Sequence, residues 1–528
     1  MRLLDGFETA WFDAMLERYA DTAACNELID GYNGLCGARE TGKLDADSVN
    51  GFFKKLDAKV SRGSYTSAAV ICANAGDDFD APAHMKPLKK EKEALLKLKG
   101  MQPVINYLER NKRVFLMKDI AYNVINSFWE GKAFFYRDDV KKDMEICYRK
   151  NFVTPAMAFF STDKKRKGNC MECGAPIHSS EAGAMSWISD MGVDSARKKS
   201  NFWDFKPDTT ICPLCALAYT CLPLGFRMIA GQGLFINNNE SFRMLVCAND
   251  TVVSTKWFTE VAGVERSEFN SMGAYKRFRA YAYTAMSEYL HGRNELHAIQ
   301  VIQRRSEMVK KGKKTEKQCT YSMERLSREK LRVLSECEKE FRRLPKYNVQ
   351  LGKDSFLNMS EETIDNLVAG RSQYALINLV MRAQIEEGHA CRYLWDVLKI
   401  QMYTRRGEKM QQAETDYKAA WALAWEGNGL KMAIGGDGKY TADGRKAETE
   451  TDNKLRGYIY KLLNYINARD KAGFQDTIIR MYLGCSRSLP GGLFMKMLED
   501  DETFVELGQA YILGLSGNLT RDKAKEEK

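Results

Sequence analysis

The sequence predicts a mixed α+β, multi-domain chain: an N-terminal α/β body with an inserted four-cysteine zinc-binding module, followed by a C-terminal all-α helical bundle. Three observations predict it. Cys170-Met-Glu-Cys173 and Cys212-Pro-Leu-Cys215 form two Cys-x-x-Cys pairs separated by thirty-eight residues. Short apolar and aromatic runs at 115–117 and 152–160 read as strands among helices. Leu455, Tyr458, Ile459, Leu462, Leu463 and Ile466 fall at the offsets of a broad helical stripe. At 528 residues the chain is longer than one hydrophobic core usually supports, so two or three domains are expected. The boundaries read as a body over 1–370, a helical connector over 371–409 and a bundle over 410–528. Within the body lie the zinc module at about 160–225, an Asn-rich loop at 231–241 and a basic segment at 301–346.

Taken in order, Phe7 to Tyr19 carries Trp11, Met15 and Leu16 at helical spacing, and the first hundred residues read as helices with turns. Lys86 to Lys99 reads as a basic surface helix, Val104 to Leu108 as helix, and Phe152 to Phe160 as a core strand beside the metal site. Asn237, Asn238 and Asn239 follow an apolar triplet, which ends a strand and makes a turn, because Asn tolerates left-handed backbone. Cys319 to Phe341 reads as a charged helix closed by Pro345. Phe356 to Leu367 and Ser372 to Leu398 are helical by spacing, and amphipathic helices run on from Met410 to Ile512.

The two cysteine pairs present four soft thiolates, the ligand set of one tetrahedral structural Zn2+. Gly174-Ala-Pro176 after the first pair and Pro213 inside the second suit knuckle turns. His178 is a secondary candidate ligand. A site closed by four thiolates has no open position, so it braces the fold and performs no chemistry. The intervening excursion carries Trp187, Trp203 and Phe205 beside basic charge.

Net charge is +10, from 80 basic and 70 acidic residues, and it is unevenly placed. From Val301 to Lys346 there are 15 Lys or Arg against 7 Asp or Glu. That asymmetry favours a nucleic-acid face. Candidate phosphate contacts are Lys164, Lys165, Arg166, Lys167, Lys198, Lys199, Lys276, Arg277, Arg279, Arg304, Arg305, Lys310, Lys311, Lys313 and Lys314. In the bundle they are Arg456, Lys461, Arg469 and Arg480. Asn237, Asn238 and Asn239 can also read base edges, since an amide offers donor and acceptor together.

The chain shows no signal peptide, and its longest apolar run, Ile211 to Phe226, is too short and too broken to span a bilayer. Fourteen cysteines, four of them in a metal pattern, fit a reducing cytoplasm. There is no phosphate-binding G-x-x-x-x-G-K-[ST] loop, no H-E-x-x-H and no G-x-S-x-G, and the five histidines do not cluster.

The paired cysteines, the Gly231-x-Gly-Leu-Phe-Ile-Asn-Asn-Asn239 segment and a terminal bundle carrying Tyr460-Lys-Leu-Leu-Asn-Tyr-Ile466 and ending in Ala510-Tyr-Ile-Leu-Gly-Leu515 resemble the large subunit of a type I-B CRISPR surveillance complex (Cascade). The resemblance implies a non-enzymatic, cytoplasmic, prokaryotic subunit with no membrane partner. It implies binding at the 5′-handle end of a crRNA, recognition of the protospacer-adjacent motif in target double-stranded DNA, and support of unwinding and R-loop formation. Implied partners are repeated backbone subunits, the subunit capping the RNA 5′ handle, small subunits and a transient helicase-nuclease. It further implies that the bundle resembles the small subunit and is also made as a separate polypeptide, for which Met410 offers a start. The alternative readings are another zinc-binding nucleic-acid protein, such as one of RNA processing, or a metal-dependent nuclease.

Overall fold

The computed structural model describes residues 4–161, 168–189, 210–229, 231–238, 240–252, 279–280, 282–284, 286–287, 290, 299–311, 314–352, 355–387, 393–434 and 450–517. The chain divides into two compact units, Met1–Phe235 with Arg304–Ser322, and Ile236–Gln303 with Met323–Lys528. Among the described residues, no helix is long and apolar enough to cross a membrane.

The first unit opens with helices α1 (Phe7–Tyr19), α2 (Ala24–Glu40), α3 (Ala46–Val60), α4 (Gly63–Asn74), α5 (Ala81–Leu88), α6 (Ala94–Arg110), α7 (Lys112–Asn123), α8 (Met144–Tyr148) and α9 (Thr154–Ser161). Helix α7 is buried all round from Phe115 to Ala121, while α1 and α3 bury one face each. In α1 the buried residues Trp11, Phe12, Met15 and Tyr19 share a face, and Trp11 stacks on Tyr148 with centroids 4.6 Å apart. In α3, Asp45 caps the first turn by accepting from the Ser48 N–H at 2.7 Å, and Val49, Phe53, Leu56 and Val60 point inward. These residues join Leu28, Leu98, Met101, Val104 and Phe115 in one core. The core holds a buried carboxylate, Asp119, which accepts from the Tyr65 hydroxyl and the Cys25 N–H, each at 2.8 Å, and pairs with Lys59 at 2.6 Å. Those three partners satisfy a charge that would otherwise be costly to bury.

The N-terminal part of the body is therefore helical, and residues 4–161 contain no strand; the sheets begin at 168. Phe115 to Met117, expected as a strand, lies inside α7. Phe152 to Phe160, also expected as strand, forms a π-turn over Arg149–Val153 and then α9. Both runs are apolar without a polar face, so periodicity alone does not separate strand from buried helix. The expected helix over Lys86 to Lys99 is broken, with α5 ending at Leu88 and α6 starting at Ala94.

Next come short hairpins, β1 (Gly168–Asn169) with β2 (Pro176–Ile177), and β3 (Gly183–Ala184) with β4 (Thr210–Ile211), then α10 (Pro213–Tyr219) and α11 (Leu222–Gly225). Strands β5 (Arg227–Ile229) and β6 (Gln232–Asn238) pair antiparallel, and α12 (Phe242–Val252) follows. Strands β7 (Ile299–Lys311) and β8 (Lys314–Leu326) complete a sheet in the order β5-β6-β7-β8.

The β7–β8 pair corrects the expected helix from Cys319 to Phe341. Along β8, Ser322, Glu324 and Leu326 are turned in while Tyr321, Met323 and Arg325 are exposed, the period of a strand. The helix starts only at α13 (Arg328–Glu336), where the Ser327 hydroxyl accepts from the Lys330 N–H, and α14 (Glu338–Arg343) follows. The high charge of β8 hides its alternation, because inward Glu324 is satisfied by Arg279 at 2.8 Å and by the Tyr283 hydroxyl at 2.5 Å.

The second unit continues with the hairpin β9 (Asn348–Gly352) and β10 (Ser355–Asn358), then α15 (Met359–Ala369), α16 (Tyr374–Glu387), α17 (Leu394–Arg406), α18 (Met410–Ala433), α19 (Glu450–Ala468), α20 (Lys471–Gly484), α21 (Gly491–Met497) and α22 (Asp501–Leu515). Every residue of α22 from Thr503 to Leu515 is buried, so this helix is the axis of an all-α bundle. On α19 the expected stripe holds at Leu455, Ile459, Leu462, Leu463 and Ile466, whereas Tyr458 is exposed. Helices α16 and α17, the stretch expected as a connector, contribute to the bundle interior. Tyr374 donates to Glu506 at 3.1 Å, Arg405 pairs with Glu506 at 2.8 Å, and Trp395 stacks on Trp421 with centroids 4.4 Å apart and planes 10° from parallel.

Candidate metal centre

The first cysteine pair sits in the turn of the β1–β2 hairpin. Gly174 takes φ 70°, a left-handed conformation that suits glycine, and this folds the chain so that its N–H reaches the Cys170 carbonyl at 2.9 Å. The Cys170 N–H in turn donates to Ala175 O at 2.8 Å. The second pair opens α10. Cys212 is its N-cap, Pro213 its first helical residue, and the Cys215 N–H donates to the Cys212 sulfur at 3.4 Å. Two bonds lock the knuckles together: Met171 N–H to Thr210 O at 3.0 Å, and Cys212 N–H to Cys170 Sγ at 3.2 Å.

The result brings all four expected ligands, Cys170, Cys173, Cys212 and Cys215, together, with their sulfurs within 4.8 Å of one another. Cys173 Sγ and Cys212 Sγ stand 3.8 Å apart. Four sulfurs held at about 2.3 Å from a tetrahedral zinc lie about 3.8 Å from each other, so the spacing fits the ion. The spacing also exceeds a covalent S–S bond of about 2 Å, so the pair is not a disulfide. The four-cysteine cluster matches a single structural Zn2+ site. Cys170 and Cys212 are buried and Cys173 is exposed. Burial works against ionising Cys170, but backbone N–H groups around its sulfur outweigh it and bring the thiol down to about 7. Burial and the neighbouring sulfurs push Cys215 up instead. Four thiols this close share one negative charge easily and four only around a cation, which is the chemistry zinc supplies here. His178 is not part of the cluster. Its ring Nδ1 meets the Ser180 hydroxyl at 2.9 Å.

The centre is fastened to the helical body. The Trp11 indole donates to Thr220 O at 3.2 Å, the Tyr148 hydroxyl meets the Thr220 hydroxyl at 2.6 Å, and the Tyr19 hydroxyl donates to Pro223 O at 2.6 Å. Trp187 also turns inward. It lies 5.2 Å from the Phe152 ring and 6.0 Å from Trp129, and its carbonyl accepts from the Glu130 N–H. The Trp187 ring is therefore core. The Thr220 latch was absent from the sequence reading, since its partners lie far away in the chain and no local pattern marks it. Trp203 and Phe205 lie outside the described residues.

The nucleic-acid candidates divide into three groups. Lys164, Lys165, Arg166, Lys167, Lys198, Lys199, Lys276, Arg277, Lys313 and Asn239 lie outside the described residues. Lys310 and Lys311 end β7 and Lys314 begins β8. The second group is committed to the interior. Arg304 is 1% exposed, donates to Ser127 O at 2.7 Å and lies 5.3 Å from the Phe128 ring centroid. Arg279 is bound to Glu324 and Asp365. Asn238 is buried, and its Oδ1 accepts from the Glu240 N–H at 3.2 Å, the turn-making role. The Arg304 guanidinium is buried on internal acceptors, whereas Arg279 is half-buried between two carboxylates. The third group is nearer solvent. Asn237 is half-buried and donates to Gln300 at 2.9 Å. Arg305 and Lys461 are exposed. Arg456 donates to Ile385 O at 2.6 Å, Arg469 pairs with Asp501 at 3.7 Å, and Arg480 pairs with Asp476 at 3.0 Å.

Residues 163–227 match the family model described as CRISPR-associated protein (Cas_CXXC_CXXC). The matched stretch spans both cysteine pairs, so a CRISPR-associated zinc-binding module is present in this chain. No curated protein and no solved structure matches it.

Proposed function

We propose that the chain is the non-catalytic large subunit of an RNA-guided type I-B CRISPR interference complex. The observation that carries this reading is the convergence of Cys170, Cys173, Cys212 and Cys215 inside a stretch that matches a CRISPR-associated family. In this role the zinc centre braces the first unit and leaves the chemistry to other subunits. The chain reads the protospacer-adjacent motif in duplex DNA, supports unwinding and R-loop formation, contacts the crRNA at its 5′-handle end and helps recruit the helicase-nuclease. Asn237 is the remaining described candidate for base reading, because Asn238 is used by its own turn. Arg305 and Lys461 supply charge without sequence preference. Guide pairing carries the sequence recognition, so the protein needs only the short motif and the backbone.

The test is reconstitution. A complex assembled from guide RNA and the companion subunits, with and without this chain, is titrated with duplexes that carry or lack a motif. Motif-dependent duplex opening that requires this chain supports the reading. Opening that proceeds equally without it, or DNA cleavage by the purified chain alone with a divalent metal, overturns it.

A further inference from the structure

The first unit carries a groove between α4 and α5, none of whose lining residues is a metal ligand, with a cavity of about 290 Å³. Its wall on α4 is Thr66, Ala69, Val70 and Ala73, which stand at i, i+3, i+4 and i+7 on one helix face. Three of these four side chains are small or short and polar, so the face leaves room above it. The floor is aromatic: Tyr65 and Phe115 lie 4.9 Å apart, and Phe79 and Tyr107 lie 5.1 Å apart. The two charged residues lining it, Asp78 and Asp80, are both acidic and both exposed. Asp80 caps α5 by accepting from the Ala83 N–H at 2.9 Å, while among the described residues Asp78 makes no ion pair. The neighbouring cation, Arg110, is already bound to Asp77 at 3.2 Å.

We infer that this groove seats a segment of a partner protein that presents an aromatic side chain beside a lysine or arginine. Its volume lies at the lower end for ligand pockets, which suits one large side chain and its flanks better than a whole folded element. Aromatic and aliphatic walls favour an apolar anchor. The carboxylates at the mouth choose a cationic neighbour for it and repel a phosphate backbone. The groove is thus a protein-facing surface, separate from any nucleic-acid face and independent of the role proposed above.

The test uses the full chain and two fluorescent eight-residue peptides, each with one central tryptophan, one flanked by lysines and one by glutamates. Fluorescence anisotropy reads binding. The lysine-flanked peptide is expected to bind at least tenfold more tightly than the glutamate-flanked one. Asp78→Lys is expected to weaken it at least tenfold, and Ala69→Trp, which fills the groove, to abolish it. Asp78 is exposed and outside every helix, so its variant keeps the fold, and thermal melting checks that both variants remain folded. Equal binding of the two peptides, or full binding by folded Ala69→Trp, overturns the inference. Sedimentation showing a dimer that Ala69→Trp dissolves also overturns it, because the occupant is then a second copy of the chain.

Discussion

Gly514 faces Ala424 so closely that a Cβ on Gly514 would lie 1.9 Å from the Ala424 carbonyl oxygen. One turn along the same contact, a Cβ on Gly427 would lie 2.4 Å from Tyr511 O. Helices α18 and α22 therefore meet backbone to backbone, and neither side can move without parting the helices. Gly514→Ala and Gly427→Ala are each expected to destabilise the bundle by about 3 kcal/mol or more, at the upper end for overpacking. Gly457 on α19 has nothing within 4 Å of its would-be Cβ. Gly457→Ala is expected to stabilise by about 0.5–1 kcal/mol through helix propensity. Urea unfolding of the three variants measures the contrast, and equal effects at Gly514 and Gly457 would refute the close contact.

The metal centre predicts one zinc per chain. Cys212→Ser removes the ligand that also caps α10 and touches both knuckles, so it is expected to purify with less than about a tenth of the metal and to melt several degrees lower, since structural zinc binding is folding energy. His178→Ala is expected to keep the full complement. Metal analysis by mass spectrometry, beside melting curves, reads both outcomes. Zinc retained by Cys212→Ser would remove that sulfur from the ligand set.

The stability contributed by two buried carboxyls is expected to fall as pH rises through neutrality. Burial pushes the Glu506 carboxyl from its ordinary 4.5 up to about 7, outweighing Arg405 beside it. Burial also lifts Asp396 to about 6, against the pull of Arg343. Each raised carboxyl binds its proton more tightly in the folded chain than in the unfolded one. Its contribution is complete below about pH 4.5 and is lost as pH climbs through 6 and 7. Glu506→Gln is expected to flatten the upper part of this slope. Urea midpoints from pH 5 to pH 8 whose slope is the same in the native chain and in Glu506→Gln would contradict the assignment.

A bundle fragment is expected to need α16 and α17. Cut at Met410, the chain loses Arg405 and Trp395, leaving Glu506 without its cation and Trp421 without its stacked ring. Losing both contacts is expected to weaken the shorter fragment. Residues 372–528 are expected to give a cooperative melt by circular dichroism, and residues 410–528 a weaker and broader one. If the shorter piece melts as sharply and as high, a separate polypeptide starting at Met410 is structurally self-sufficient.

The metal centre was fully legible in the sequence, because paired cysteines state both ligand identity and knuckle geometry within a few residues. The stripe on α19 was legible for the same local reason. Tyr458 was misplaced because an aromatic ring at the edge of a stripe faces either way. Strand β8 was illegible because its inward residues include Glu324, a charge made acceptable only by Arg279 and Tyr283 from elsewhere in the chain. Arg304 failed similarly. Among basic neighbours it reads as surface, yet its acceptors, Ser127 O and Gly231 O, come from distant segments. Sequence patterns report local exposure well and distant satisfaction of charge not at all.

The fastening of Thr220 and Pro223 to α1 also sets an order of events during synthesis. Trp11 and Tyr19 find these partners 209 and 204 residues further along the chain. At ribosomal speeds of roughly 5–20 residues per second, the first helix waits on the order of 10–40 s for the segment that covers it. During that interval the Trp11 indole and the Tyr19 hydroxyl lack these two acceptors, and the second cysteine pair arrives in the same stretch that supplies them. Because structural zinc binding is folding energy, metal supplied as that stretch emerges is expected to favour completion of the fold.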